Sequence, residues 1–232
     1  MITRDVLVLE TDCYKIVISA DSVASIGNMP RDEVKVDPFL VGKLSARVVL
    51  FEVLAVGADP VAIVNNIGLN YNDSKQIIEG IKHEAGEIPV FGSTEDNFPS
   101  DRTFLSIFCI GLTESLKIGQ SKPDDLVIAI GKPYVGYEIV ENQEELPDLN
   151  VIKKLKEMGV HDIFPTGSRG VIHEIKMLEK ESGLKFKIMD DSFPLMKSCG
   201  PSSVLLITAP ERLLSQIKEL KVPCSIIGVL TK

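Results

Sequence analysis

Carboxylates that border apolar segments are the first residues in this sequence that could do chemistry. Asp21 directly follows the apolar segment 16–20, and Asp5, Asp32 and Asp37 flank other strand-like segments. Magnesium prefers oxygen ligands and usually keeps a phosphate group as a co-ligand. We predict that Asp21 lies at a strand end as such a ligand, although a solvated aspartate in a turn would give the same pattern.

Glu52 is the second candidate, because it lies within the apolar segment 39–56. An ionised carboxylate in an apolar helix is costly unless it is paired or bound to a metal. Arg47 is five residues away, which is a poor spacing for an ion pair within one helix. Glu52 is therefore predicted to have a functional role, and a structural partner elsewhere in the fold is the alternative.

Two polar loops form the third group of candidates. The loop 91–100 is dense in hydroxyls, carboxylates and backbone donors, which suits phosphate or metal binding. A long hairpin turn is the alternative for this loop. The segment 165–170 precedes a predicted helix and contains Arg169, and a helix N-terminus beside an arginine binds anions. A simple helix start capped by Ser168 fits this segment equally well.

Several other kinds of site are excluded by their missing motifs. The sequence has no P-loop, no GxGxxG after a strand, no GxSxG and no HExxH. Its three histidines are scattered, and none of its four cysteines forms a CxxC pair, which argues against zinc. We predict that the cysteines are buried free thiols. They are Cys13, Cys109, Cys199 and Cys224.

Composition and charge limit the class of protein. The chain has 232 residues, 44% of them hydrophobic, and a formal net charge of −8. No basic patch indicates nucleic-acid binding, and no apolar run reaches the roughly 18 residues that span a bilayer. The N-terminus lacks the pattern of a signal peptide, so we expect a cytoplasmic protein with no membrane contact. An acidic chain can still bind a polyanion through metal ions.

The pattern of apolar residues predicts two α+β domains, residues 1–115 and 122–232, separated by a polar stretch. Strands and helices mix in both halves without strict alternation. The predicted strands are 5–10, 15–20, 33–37, 61–67, 88–91, 103–112, 126–130, 163–164, 203–208 and 225–230. The predicted helices are 39–56, a helix capped by Asn72 or Asp73 that runs to about Ala85, 135–140, 149–158, 171–182 and 210–220.

The order of these features resembles the superfamily of aminoimidazole-ribonucleotide synthetases and thiamine-monophosphate kinases. Residues 4–8 resemble a reduced GDDAA-type segment, and Asp21 matches the family's strand-end aspartate. The segment 51–60 (FEVLAVGADP) is similar to the family pattern SDxxAMGAxP, with Glu52 at the aspartate position, and residues 92–95 resemble the GGDT turn. The resemblance covers nearly the whole chain and is strongest over residues 16–66 and 88–113.

Within this superfamily the sequence is most similar to the α-ribazole kinases of cobalamin salvage, which transfer the γ-phosphate of ATP to the 5′-hydroxyl of a benzimidazole nucleoside. The similar stretches are 32–36, 41–42, 92–99 and 167–170. The sequence departs from thiamine-monophosphate kinases at Ser93, where GGDT has aspartate, and at 164–168, which replaces a DxSDG segment. The glycine-rich N-terminal arm of many members is also missing.

The resemblance implies an ATP- and Mg²⁺-dependent kinase with a small-molecule acceptor, working as a homodimer joined through the N-terminal sheets. The implied metal ligands are Asp5, Asp21, Glu52 and Glu95. Catalytic roles are implied for Glu52, Lys35 and Arg47. The implied ATP contacts are Gly92, Ser93, Thr94 and Asn97, and the implied acceptor contacts are Gly167, Ser168 and Arg169. Another ATP-dependent enzyme of the superfamily, or a non-catalytic nucleotide-binding partner, is the alternative.

Overall fold

The computed structural model describes residues 1–232 and shows a mixed α/β fold of two compact units, Met1–Leu116 and Lys117–Lys232. The first unit ends one residue beyond the predicted domain. The second unit begins five residues before the predicted start, because Gly119 and Ser121 donate backbone hydrogen bonds to the buried carboxylate of Asp162. The functions assigned to the two domains remain predictions.

The first unit is built on a six-stranded sheet in the order β1-β2-β3-β8-β6-β7. Its neighbouring strands are antiparallel except for β6 and β7, which are parallel. A separate parallel pair is formed by β4 and β5. The strands are β1 (Ile2–Thr3), β2 (Val6–Glu10), β3 (Lys15–Ala24), β4 (Ile26–Gly27), β5 (Val34–Lys35), β6 (Asp59–Ile67), β7 (Val90–Thr94) and β8 (Phe104–Thr113).

Two helices pack on one face of this sheet, α1 (Pro38–Ala55) and α2 (Tyr71–Ala85). Asp37 caps α1 by accepting the backbone N–H of Phe39 at 2.9 Å, and Pro38 takes the first helical position, where its missing N–H costs nothing. Asn70 caps α2, two or three residues before the caps predicted from the sequence. The helix α1 is buried on almost all sides because the sheet and α2 enclose it.

The second unit contains a five-stranded antiparallel sheet in the order β10-β12-β9-β13-β11. Its strands are β9 (Leu126–Gly131), β10 (Asp162–Pro165), β11 (Lys185–Ile188), β12 (Val204–Ala209) and β13 (Cys224–Thr231). Its helices are α3 (Tyr137–Glu141), α4 (Leu149–Met158), α5 (Val171–Ser182) and α6 (Leu214–Lys218), with 3₁₀ turns at Gln143–Glu145 and Glu211–Leu213.

The structure corrects several predicted elements. The strand predicted at 33–37 is only Val34–Lys35, and the helix predicted at 210–220 is a 3₁₀ turn followed by α6. The edge strand β11 was not predicted, because its alternation of lysine and apolar residues extends over only four residues, the lower limit of a strand signal. Gly170, with a φ of 72°, begins α5 without a side-chain cap, so the expectation that Ser168 caps this helix is wrong.

The cysteines are all free thiols, as predicted, but they are not all buried. Cys109 and Cys199 are buried, and burial raises the pKa of each thiol to about 12. Cys13 is exposed, because it lies in the turn between β2 and β3. None of the helices has the length and apolar character needed to cross a membrane.

The face of the first sheet that points away from α1 is apolar and partly exposed. The opposite face packs on α1, where the Ser19 hydroxyl donates to the carbonyl oxygen of Val49 at 2.7 Å. Because side chains alternate along a strand, the neighbours of the buried residues point to the open side. Leu7, Leu9, Phe91 and Phe104 keep 39%, 44%, 76% and 48% of their surface exposed there. We call this surface the open face of the first unit.

Candidate functional site

Asp21 lies inside β3 and not at its end. It pairs with Ile107 of β8, and the strand continues to Ala24 because β8 pairs with it as far as Phe104. The predicted strand end is therefore wrong. The Asp21 side chain shares a strand face with Ser19 and is partly buried. Burial raises its pKa above the ordinary value of 3.8, and the backbone N–H of Ser22 partly offsets this effect.

Because the pKa of Asp21 is raised in the folded protein, ionisation of this carboxyl group destabilises the fold. A carboxyl group with a higher pKa in the folded state binds more protons there, so stability falls as the pH rises through the unfolded pKa to the folded one. We therefore expect Asp21→Asn to raise the free energy of unfolding at pH 7 by about 1 kcal/mol, the lower end of the cost of burying a polar group. Below the ordinary pKa of 3.8, the gain should vanish.

Urea unfolding in the presence of a chelator, at pH 7 and near pH 3.5, measures this difference. Asp12→Asn, at an exposed aspartate in the turn between β2 and β3, serves as the control. A neutral-pH destabilisation by Asp21→Asn would show that the carboxylate has a stabilising partner in the folded protein.

Glu52 is buried on α1, with 8% of its surface exposed, as expected for the one carboxylate in this apolar segment. Arg47, on the same helix, forms a buried ion pair with Glu84 of α2. Its Nε lies 2.7 Å from Oε1 and its Nη2 lies 3.3 Å from Oε2 of that carboxylate. The pair joins α1 to α2, so the structure gives Arg47 a structural partner. Its catalytic role remains a prediction.

The loop after β7 holds two ionised carboxylates in fixed positions. Glu95 Oε1 accepts the backbone N–H groups of Asn97 and Phe98 at 2.8 and 3.2 Å, which lowers the pKa of Glu95. Asp96 accepts the backbone N–H of Tyr71 at 2.9 Å and the Thr94 hydroxyl at 2.7 Å, and these bonds lower its pKa too. The loop therefore presents negative charge at neutral pH.

Gly92 and Ser93 belong to β7 itself, on the edge of the sheet beside β6. A Cβ atom at Gly92 would lie 2.4 Å from the carbonyl oxygen of Asn65, so only glycine fits there. The loop that follows is anchored by the backbone N–H of Glu95, which donates to the carbonyls of Ile67 and Leu69. The predicted ATP contacts in this segment thus share one edge of the first unit.

The predicted metal ligands do not form one cluster within the chain. No three Asp, Glu, His or Cys side chains are grouped so that they could hold a metal ion. Magnesium, however, keeps several waters and is usually bound by one or two carboxylates together with substrate phosphates. The ionised oxygens of Glu95 and Asp96 fit this requirement. Asp5, in the turn between β1 and β2, Asp21 and Glu52 remain predicted ligands.

Lys35, predicted to act at the phosphates, lines a cavity of about 540 Å³ that is wide open to solvent and lies between β4, β5, the start of α1 and α2. Its ammonium group donates to the carbonyls of Met29 and Pro30. Sequence reasoning missed two other residues of this cavity, Asn28 and Gln76, because exposed amides carry no distinctive pattern. Asp37, which had been named only as a carboxylate near a strand, lines the cavity as well.

The predicted acceptor contacts Gly167, Ser168 and Arg169 lie in the second unit, between β10 and α5. The carbonyl of Gly167 accepts the backbone N–H groups of Gly170 and Cys199 at 3.2 Å each, which shapes this loop. The preceding Thr166 is fully buried, and its hydroxyl has no hydrogen-bond partner. The predicted site residues are therefore divided between the two units, with the ATP and metal candidates in the first.

Comparison with protein families identifies residues 3–113 as an "AIR synthase related protein, N-terminal domain". No significant match was found among curated protein sequences.

Solved structures match over almost the whole chain. Thiamine monophosphate kinase from Aquifex aeolicus is 17% identical, with a TM-score of 0.71 over 98% of this chain and 89% of that one. AaThiL complexed with AMPPCP and TMP is also 17% identical, with a TM-score of 0.69 over 100% and 85% of the two chains. A chain of the HypE–HypF complex is 18% identical, with a TM-score of 0.68 over 98% and 87%. At these identities, the likeness establishes a shared fold.

The family match ends at residue 113, close to the end of the first compact unit at Leu116. Residues 3–113 therefore match the N-terminal domain of AIR synthase related proteins, and the whole chain shares its fold with ThiL and HypE.

Proposed function

We propose that this protein is a cytoplasmic ATP- and magnesium-dependent kinase that phosphorylates the 5′-hydroxyl of α-ribazole. The observation that carries the proposal is the fold shared over the whole chain with AaThiL, a protein solved with AMPPCP and TMP. AMPPCP is an analogue of ATP, so that relative holds a nucleotide together with a small phosphorylated molecule. The choice of α-ribazole rests on the sequence stretches 32–36, 92–99 and 167–170, which resemble the α-ribazole kinases.

In the proposed reaction, the first unit holds the nucleotide. Bound magnesium would neutralise charge on the ATP phosphates, since phosphoryl transfer is mostly positioning and electrostatic stabilisation. The carboxylates of Glu95 and Asp96 are already ionised and fixed by backbone N–H groups, so they need little reorganisation to hold the ion. Ser93, Thr94 and Asn97 would contact phosphate oxygens or metal-bound water. Asp21 and Glu52 are the further proposed ligands.

The open face supports a proposed homodimer. It is apolar, lies on the side of the sheet away from α1 and leaves Phe91 largely exposed and Phe104 about half exposed. A second copy placed face to face would bury these side chains, and exposed apolar patches mark interaction surfaces. Sedimentation velocity at micromolar concentration tests this part of the proposal, which a monomer would contradict.

The proposed activity is tested by incubating the protein with magnesium-ATP and α-ribazole and identifying products by mass spectrometry, with thiamine monophosphate in parallel. We expect α-ribazole phosphate. In Asp21→Asn we expect turnover at least about 100-fold lower, because a metal ligand supplies several kcal/mol of transition-state stabilisation. Because this variant is expected to be at least as stable as the wild type, its loss of activity would not come from unfolding.

Asp12→Asn is the matched control for this experiment and should retain full activity. A nucleotide-binding protein that acts within a protein complex is the second candidate function, because a chain of the HypE–HypF complex shares the fold. Binding of ATP without phosphorylation of either acceptor would favour that candidate over the kinase. Phosphorylation of thiamine monophosphate instead of α-ribazole would retain the kinase and replace its substrate.

A further inference from the structure

The cavity beside Lys35 has a rigid wall. Asp32, with 6% of its surface exposed, accepts hydrogen bonds from the backbone N–H groups of Met29 and Thr103 and from the Thr103 hydroxyl, at 2.9, 2.8 and 2.7 Å. Gly27 lies against this network at a φ of 151°, and a Cβ atom there would be 2.4 Å from the Thr103 hydroxyl. The loop between β4 and β5 is therefore held in one conformation from inside the protein.

The polar groups that line the cavity are of mixed type. Asp37 uses one carboxylate oxygen to cap α1, and its other oxygen makes no hydrogen bond within the chain. Asn28 and Gln76, whose side chains are exposed, also line the cavity. The ammonium group of Lys35 is held by backbone carbonyls at the rim. The lining thus offers a carboxylate acceptor, two amides that both donate and accept, and one positive charge.

This combination decides between classes of ligand. A phosphate group would be repelled by the Asp37 carboxylate. A metal ion would have only this one carboxylate as a ligand and would be repelled by the nearby ammonium group of Lys35. Hydroxyl groups both donate and accept hydrogen bonds, so they match a carboxylate next to amides. Adjacent sugar hydroxyls are bound in this way in dinucleotide sites, where an acidic residue accepts from the ribose. The cavity is wide open to solvent, so it would hold the sugar of a nucleoside against the protein and leave the rest of the molecule accessible.

We propose that this cavity binds the ribose of the nucleoside acceptor. The sugar hydroxyls donate to the open oxygen of Asp37 and accept from the amides of Asn28 and Gln76. This inference rests on the proposed kinase function for the identity of the nucleoside. It assigns the sugar-binding residues to the first unit, on a wall fixed by Asp32 and Thr103.

Asp37→Asn is the decisive variant, because asparagine caps a helix as well as aspartate does and removes only the negative charge. We expect its KM for α-ribazole to rise about tenfold or more, the range for a hydrogen bond to a charged group. The KM for ATP should stay within about twofold, because the proposed ATP contacts Ser93, Thr94 and Asn97 lie on β7 and the loop after it. Gln76→Ala should raise the KM for α-ribazole severalfold. Asp59→Asn, at an exposed aspartate at the start of β6, should change neither value.

Binding without ATP separates this inference from the kinase activity. Isothermal titration of α-ribazole and its 2′-deoxy analogue should show weaker binding of the analogue to the wild type and a smaller difference between the two in Asp37→Asn. Hydroxyl-dependent binding that needs Asp37, without phosphorylation, would support the cavity and reject the kinase. Phosphorylation that is insensitive to Asp37 and Gln76 would support the kinase and overturn the cavity. Absence of nucleoside binding would overturn both.

Discussion

Replacing Arg47 with methionine should lower the free energy of unfolding by about 3–5 kcal/mol, the usual cost of removing one partner of a buried ion pair. The side chains of Arg47 and Glu84 are only 8% and 7% exposed, so water cannot replace the lost guanidinium. Glu84 would then keep a buried carboxylate without its partner between α1 and α2. Urea denaturation followed by circular dichroism measures the loss.

The double variant Arg47→Met/Glu84→Met tests whether the pair, and not the arginine alone, sets this cost. Replacing a buried pair by apolar side chains of similar volume is often neutral or stabilising, so the double variant should recover most of the lost stability. A double variant no more stable than Arg47→Met would mean that Arg47 stabilises the fold through groups other than Glu84.

The same double variant also separates a structural from a catalytic Arg47. An arginine that stabilises charge in a phosphoryl-transfer transition state contributes about 10³–10⁵ in turnover. If the double variant is stable and phosphorylates α-ribazole at nearly the wild-type rate, Arg47 holds α1 to α2 and acts nowhere in the chemistry. A stable but inactive double variant would restore the catalytic role.

The helices were largely predictable because their signals are local. Pro38 marks the start of α1 in the sequence itself, although its cap Asp37 was assigned to a strand, and the spacing of Ile77 and Ile81 marks the inner face of α2. The length of β3 was not predictable in this way. Of its last four residues, Asp21, Ser22 and Ala24 are weak strand formers, and this end of the strand is extended because β8 pairs with it. The end of this strand is therefore set by its pairing with β8, which the local sequence pattern does not indicate.

The candidate site shows the same division. The charge of Glu95 and Asp96 was visible in the sequence, and so was the unusual position of the Glu52 carboxylate within an apolar segment. The partner of Arg47 was not visible, because Glu84 is 37 residues away and meets it only when α2 packs on α1. The cavity between β4, β5 and α1 was missed for the same reason, since Asn28 and Gln76 come from distant parts of the chain.

Two glycines, Gly42 and Gly80, lie where α1 and α2 pack together. A Cβ atom at either position would come closer to its neighbours than at any other glycine of the first unit. A Cβ atom at Gly42 would lie 1.9 Å from the carbonyl oxygen of Ile77. One at Gly80 would lie 2.0 Å from the carbonyl oxygen of Phe39 and 2.8 Å from the backbone nitrogen of Lys43. Both contacts are with backbone atoms, which cannot move away by a change of rotamer as a flexible side chain could. The two helices therefore approach this closely only because neither glycine has a side chain.

Gly80→Ala should therefore destabilise the protein by about 2–3 kcal/mol, toward the upper part of the usual cost of overpacking a core. The result is opposite to that expected from helix propensity, by which alanine is favoured over glycine by roughly 1 kcal/mol. Glu79→Ala, at the neighbouring exposed position of α2, is the control and should stay within about 0.5 kcal/mol of the wild type. Urea unfolding measures both. If Gly80→Ala were as stable as Glu79→Ala, α2 could move away from α1 at no cost, and the buried pair of Arg47 and Glu84 could not depend on their close packing.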